Sequence, residues 1–319
     1  MGIAHVFLLV AASCAVADAP PGETDGAKID FYLSSMLAER QKISSGEFVV
    51  SGTNSAAFAK TPKFDYSGRL LIYCAFDETR LRMDNREPSV VAEVPLTHPI
   101  KMVPGRMERM YLRTPERSVT WIQHNGNNNI TIGKPDSGLY GHFLSFDVRS
   151  LGFVPWKRLS SKSQHHRYNL ETTIEALTRL AREKSVDTSD PRYVQLVFLT
   201  DQGTRLEETR YWLSPDQGFA PVRLETRVRN SRDKGWQVSE RADTSWQQTD
   251  GVWLPTMFEI TMGDESGELK LVWKIHWRSV NKPIDDARFD WQDFGAPETV
   301  PVYDRLSDPP VMIRPRPAE

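Results

Sequence analysis

The residues able to do chemistry are few, and their spacing is poor for it. His165-His166 is the one adjacent histidine pair. Histidines that hold zinc from a helix sit at i and i+4, with an acidic or thiolate ligand grouped close by. Neither condition is met, so no metal site is expected. The acids Asp147, Asp201 and Glu225 are scattered along the chain, whereas a carboxylate pair works only at a defined separation in space. There is no Gly-x-Ser-x-Gly elbow, no glycine-rich phosphate loop and no Cys-x-x-Cys. The chain therefore reads as non-enzymatic, with no cofactor. A secreted hydrolase with dispersed acidic residues stays open as an alternative.

The two cysteines belong to different settings. Cys74 lies in the apolar run Leu70-Leu-Ile-Tyr-Cys-Ala-Phe76 and is expected to be a buried, inert thiol. Cys14 lies in an export signal. Ile3 to Ala12 is apolar, and Ala15-Val-Ala17 has the form of a cleavage site. Residues 1–17 are thus expected to be a signal peptide, although Met1 to His5 carries no Lys or Arg. The run is shorter than the ~20 apolar residues a spanning helix needs. Ala11-Ala-Ser-Cys14 is a loose form of the lipoprotein pattern, which makes Cys14 the lipidation candidate. Once Cys14 is removed or acylated, no intrachain disulfide is possible. Residues 18–27 read as a linker. The expected location is periplasmic or envelope-associated, with Cys14 as the lipid anchor if it is kept.

With 40 basic and 42 acidic residues, the charge balance gives no electrostatic case for a nucleic-acid partner. The chain is expected to be a monomer.

The elements that would position any site are strands. In Pro221-Val-Arg-Leu-Glu-Thr-Arg-Val-Arg229, Val222, Leu224, Thr226 and Val228 alternate with charged residues. That period of two predicts a strand with one dry and one wet face. Ser214-Pro-Asp-Gln-Gly218 predicts the turn before it. Asp250-Gly251 predicts a tight turn into 252–260. The alternation recurs at Val194, Leu196 and Phe198, and at Leu269, Leu271, Trp273, Ile275 and Trp277. Earlier strands are expected at 47–53, 65–76 and 79–84, with weaker ones near 109–113, 119–123 and 130–132. Arg80 and Arg82 share a face that is expected to be exposed. Residues 85–107 are Pro-rich and read as a connection or covering loop. The tail from Asn281 reads as irregular.

Two helices are expected. Asp30 is the candidate N-cap of the first, whose apolar residues are Ile29, Leu33, Met36, Leu37 and Ile43. Asn169 caps the second, with Leu170, Ile174, Leu177, Leu180 and Ala181 as its stripe. The fold class is mainly β (α+β), a single antiparallel sheet with helices on its apolar face. If that sheet is curved, its dry faces converge. Val194, Leu196, Phe198, Val222, Leu224, Val228, Leu271, Trp273, Ile275 and Trp277 then become candidates to line a ligand cavity.

Tyr211-Trp-Leu-Ser-Pro-Asp-Gln-Gly-Phe-Ala-Pro-Val-Arg223 resembles the strand-turn-strand of the LolA/LolB-like superfamily. Gly251-Val-Trp-Leu-Pro255 resembles that group's next hairpin, and Phe76-Asp-Glu-Thr-Arg-Leu-Arg-Met-Asp84 its early one. A first helix ending in Ile43-Ser-Ser-Gly46 fits as well. Ser214 stands where the superfamily has Asp, and the region around residues 85–155 has no counterpart. The resemblance implies an exported bacterial carrier with an open, strongly curved sheet, a half-barrel, wrapping an apolar cavity with helices at its mouth. It places that domain at 28–295 and leaves 296–319 as a Pro-rich tail. It also implies a lipid or acyl chain as ligand, and lipoproteins or a membrane-anchored receptor as partners. Fold transfers better than function, so a structural envelope protein whose sheet interior is simply core remains the bland alternative.

Overall fold

Strand-forming alternation runs through most of the chain, and the strands it makes share one sheet. The computed structural model describes residues 24–58, 66–92, 102–124, 127–135, 148–155, 170–229, 235–264 and 267–313. Helix α1 is Asp25–Gln41 and helix α2 is Leu170–Leu180. The first strands are β1 (Gly46–Phe58), β2 (Tyr66–Phe76), β3 (Leu81–Ala92), β4 (Met102–Arg113), β5 (Ser118–His124) and β6 (Asn127–Gly133). After α2 come β7 (Glu183–Asp187), β8 (Val194–Asp201), β9 (Leu206–Ser214), β10 (Ala220–Arg229), β11 (Gln237–Thr249), β12 (Val252–Asp264) and β13 (Gly267–Val280). Two short strands, β14 (Val302–Asp304) and β15 (Val311–Ile313), follow near the C-terminus.

The sheet runs β15-β14-β6-β5-β4-β3-β2-β1-β13-β12-β11-β10-β9-β8-β7. It is open rather than closed into a barrel, and antiparallel except where β14 runs parallel to β6. Strand β1 sits at its middle, paired with β2 on one side and β13 on the other. Among the described residues no helix is long and apolar enough to cross a membrane.

Among the described residues the sheet has two large cores, on opposite faces, and a small third cluster of Ile43, Val252, Leu254 and Val280 against Phe76 and Trp277. On one face, residues of β8 to β13, β1 and β2 are dry and carry α1, α2 and the turn around 148–154. On the other face, Ala75, Met110, Leu112, Val119, Trp121, Ile130 and Ile132 are dry and carry the C-terminal segment through Phe289, Phe294, Val300 and Val302. The apolar side of the sheet thus changes over near β2. Period-two alternation marks that each strand has a dry side and says nothing about which side it is.

Several expectations are corrected. Thr24, not Asp30, caps α1: its hydroxyl accepts from the Ala27 backbone N–H at 3.4 Å. Residues 85–92 and 102–107 are not a loop, because β3 and β4 pair as far as Ala92 and Met102; residues 93–101 lie outside the described residues. Pro88 and Pro104 fit there because β3 pairs with β2 only as far as Arg86 and β4 pairs with β5 only from Glu108, leaving an edge on each strand beyond those points. The tail is not irregular. It forms 3-10 turns at Asp286–Phe289 and Trp291–Phe294 before β14. Leu180 ends α2 at 59 % exposed, while Thr173 is fully buried in the stripe. Residues 1–17 with Cys14, the start of the linker, Asp147, His165-His166 and Asn169 lie outside the described residues. The weaker strands expected near 119–123 and 130–132 pair as a hairpin, with Val119 opposite Ile132.

Candidate functional site

The helix-bearing face is the largest apolar surface, and α1 is its main cover. Ile29, Leu33, Met36 and Arg40 recur along one side of α1 and are all buried. From α2, Leu170 and Leu177 reach the same cluster. Of the residues expected to line a cavity, Val194, Leu196, Phe198, Leu224, Leu271, Trp273 and Ile275 meet in this one buried group. Trp277 packs against it half-buried. Val228 is buried outside the group. Val222 leaves the alternation altogether. A bulge pairs Pro221 with Leu213 and Arg223 with Trp212, so Val222 is the extra residue between them.

The interior is ring-rich. Phe153 stacks on Tyr211 at 4.3 Å between centroids, and Phe198 meets Tyr211 edge-on at 5.9 Å. Trp273 is 1 % exposed and lies 6.0 Å from Phe258. It fits because β1 has a glycine opposite it. A Cβ at Gly52 would fall 2.3 Å from the Val272 carbonyl oxygen and 2.8 Å from Trp273 Cδ1. The Trp273 Nε1–H reaches Asn54 Oδ1 at 3.4 Å.

The turn at 148–154 is pinned just as tightly. Gly152 has φ +76°, and a Cβ there would lie 2.5 Å from Thr244 Oγ1 and 2.8 Å from the Pro221 carbonyl oxygen. Gly152→Ala is therefore expected to cost about 1–3 kcal/mol through backbone strain and collision. Thermal unfolding of the variant checks this; an unchanged melting temperature would mean the turn does not seat against β10 and β11.

Sequence reasoning missed one residue here. Arg40 continues the apolar stripe of α1, where a leucine would be ordinary, and is 0 % exposed. Its guanidinium lies over the Trp246 ring at 4.1 Å. Burial pulls its pKa down to about 10, against the raising influence of Glu39. The signal was present: a lone cation four residues after Met36 on a dry helical face.

The candidate chemical residues are not brought together. Asp201 is exposed at the end of β8, where it accepts from Arg182 at 3.3 Å and from the Gly203 backbone N–H at 2.9 Å. Glu225 faces the other side of β10 and pairs with Arg227. Cys74 is buried on the helix side of β2. Among the described residues no group of His, Cys, Asp or Glu could hold a metal ion. The wet face of β9 to β11 carries ion pairs such as Arg223 Nε to Asp243 Oδ1 at 2.7 Å and Arg241 Nε to Asp243 Oδ2 at 2.8 Å. Exposed pairs of this kind contribute little each.

Arg82 overturns its expected exposure. It is 4 % exposed and donates to Asp84 Oδ2 at 2.7 Å and Asp293 Oδ2 at 2.9 Å. It also donates to the backbone carbonyls of Arg288 and Asp293, each at 3.1 Å. The reason lies far along the chain: the C-terminal segment folds back over β3 and buries it.

An open, antiparallel-dominated sheet with helices on one face defines the architectural class. No protein-family model matches the sequence, and no curated protein matches it. The chain is similar in structure to a DUF1329 family protein from Desulfovibrio piger, at 12 % identity and a TM-score of 0.44, covering 85 % of this chain and 100 % of that one. It is similar to a domain from Vibrio parahaemolyticus assigned to outer membrane lipoprotein sorting, at 10 % identity and a TM-score of 0.43, covering 83 % and 99 %. It is also similar to a LolA superfamily protein from Nitrosomonas europaea, at 11 % identity and a TM-score of 0.35, covering 82 % and 98 %.

Proposed function

We propose that the protein is an exported, non-enzymatic binding protein that takes a lipid or acyl chain between its helices and the dry face of β8 to β13, β1 and β2. The supporting observation is how that face is covered. Among the described residues its roof is two helices and one short turn, not a second sheet. Moving such a roof aside disrupts side-chain packing but none of the strand pairings that hold the sheet. An acyl chain lying there would cover the uncovered apolar surface again, at about 0.8 kcal/mol per buried methylene. Lipid or lipoprotein carriage in the cell envelope, with a membrane-anchored receptor as partner, is the role that fits.

One observation favours a second reading. Leu196, Phe198 and Leu224 are 0 % exposed, so the interior is filled by side chains, as in a structural envelope protein. One experiment separates the two. Full-length protein is purified from its own envelope, weighed by native mass spectrometry, and titrated with a fluorescent polyene fatty acid. A co-purifying acyl mass and saturable uptake are expected. Clean protein that never takes up the probe would sink the carrier reading and leave the structural one.

A further inference from the structure

The interior under α1 should be apolar throughout, yet it contains a buried cation, Arg40. Arg40 Nε and both of its terminal nitrogens are buried and have no hydrogen-bond partner among the described residues. One flat face of the guanidinium is covered by Trp246, whose own Nε1–H is committed to the Pro221 carbonyl oxygen at 3.1 Å. The adjacent acid does not serve, because Glu39 pairs with Lys42 instead. Two positions before Trp246 on β11, the Thr244 hydroxyl is also buried without a hydrogen-bond partner among the described residues.

A guanidinium has five N–H donors in one plane. Leaving them dry in an apolar interior costs far more than a surface arginine would. In folded proteins buried polar groups are satisfied almost without exception; single atoms such as Thr173 Oγ1 and Thr226 Oγ1 are exceptions here, but among the described residues only Arg40 has three such atoms, and a group left this incomplete marks a position reserved for something else. Its place on α1 says what kind of thing. Arg40 ends the stripe Ile29, Leu33 and Met36, so a molecule lying along that stripe would present its apolar part to the core and its end to Arg40.

We propose that Arg40, stacked on Trp246, is the anchor for the oxyanion end of a bound amphiphile, a carboxylate or a phosphate. The forked donors match either anion, and Trp246 holds the fork flat. This rests on the carrier reading for the amphiphile and stands apart from it for the anion.

The test compares a fluorescent fatty acid, the alcohol of the same chain and inorganic phosphate, each against the full chain and its Arg40→Met variant. The wild type is expected to bind the acid roughly ten- to a hundredfold more tightly than the alcohol. In Arg40→Met the acid falls to the level of the alcohol while alcohol binding is kept. Melting of ligand-free Arg40→Met is expected to be no lower than wild type, since a buried uncompensated charge is lost. Equal binding of acid and alcohol by the wild type overturns the anchor, leaves the carrier reading intact, and needs no variant to fold. If neither chain probe binds but phosphate raises the wild-type melting temperature and not that of Arg40→Met, the anchor stands and the lipid reading fails. No response to any probe overturns both.

Discussion

Trp273→Ala is expected to lower the unfolding free energy of the ligand-free protein by about 3–5 kcal/mol. The ring is 1 % exposed and sits among Phe258, Gly52 and Asn54 at the centre of the sheet. Truncation removes its transfer energy and leaves a cavity that the strands on either side cannot close, because β1 and β12 are fixed by their pairing with β13. Urea unfolding measures the loss. Trp273→Phe keeps part of the ring and should lose clearly less. A change below about 1 kcal/mol for the alanine variant would fall among ordinary substitutions and would mean the ring is not packed. On the carrier reading, the alanine variant also takes up the fatty-acid probe more weakly, since the same ring would line the bound chain.

Asp84→Ala should be comparably damaging, at about 3–5 kcal/mol, for an electrostatic reason. Arg82 and Asp84 are paired at 2.7 Å with their side chains 5 % and 8 % exposed. Removing the carboxylate leaves a buried guanidinium with Asp293 as its remaining charged partner. Burial by itself would lower the pKa of Arg82, but its bonds to Asp84 and Asp293 outweigh that and raise it, so it stays charged and undercompensated. The double replacement Arg82→Met with Asp84→Leu should cost less than Asp84→Ala alone, because no orphaned charge remains. A double-mutant cycle read by thermal unfolding checks both. Simple additivity of the two sites would mean the pair contributes nothing as a pair. Arg82 also bonds the Arg288 and Asp293 carbonyls. The same variants should therefore loosen the C-terminal segment first, which amide hydrogen exchange at 286–302 would report.

Strands are legible wherever a side-chain pattern has a period of two. The β13 alternation of Leu271, Trp273 and Ile275 with Lys274 and His276 shows both the element and its dry face. The helices are legible too, but their ends are not. Asp30 and Thr24 are both competent caps by type, and only the hydrogen bond from the Ala27 N–H settles which one serves. Pro-rich 85–107 reads as a loop by composition, yet proline rules out a strand only where its missing N–H would have been needed.

Arg40 and Arg82 mark the boundary of what sequence says about the candidate sites. Arg40 is marked only by its place in the apolar stripe of α1, and Arg82 looks like a surface arginine when read locally. One is buried because β11 brings Trp246 beneath the end of α1, the other because residues 286–294 return over β3.

By itself, then, the sequence determined an antiparallel, strand-dominated chain with two amphipathic helices, because those patterns are set by neighbours a few residues apart. Tertiary structure alone decided that β1 sits between β2 and β13 and that the dry face changes sides near β2. It also decided that two arginines lie inside. Each of those depends on pairing or packing between segments as far apart as Arg82 and Asp293. Burial is a property of what finally covers a residue, and local periodicity carries no record of that.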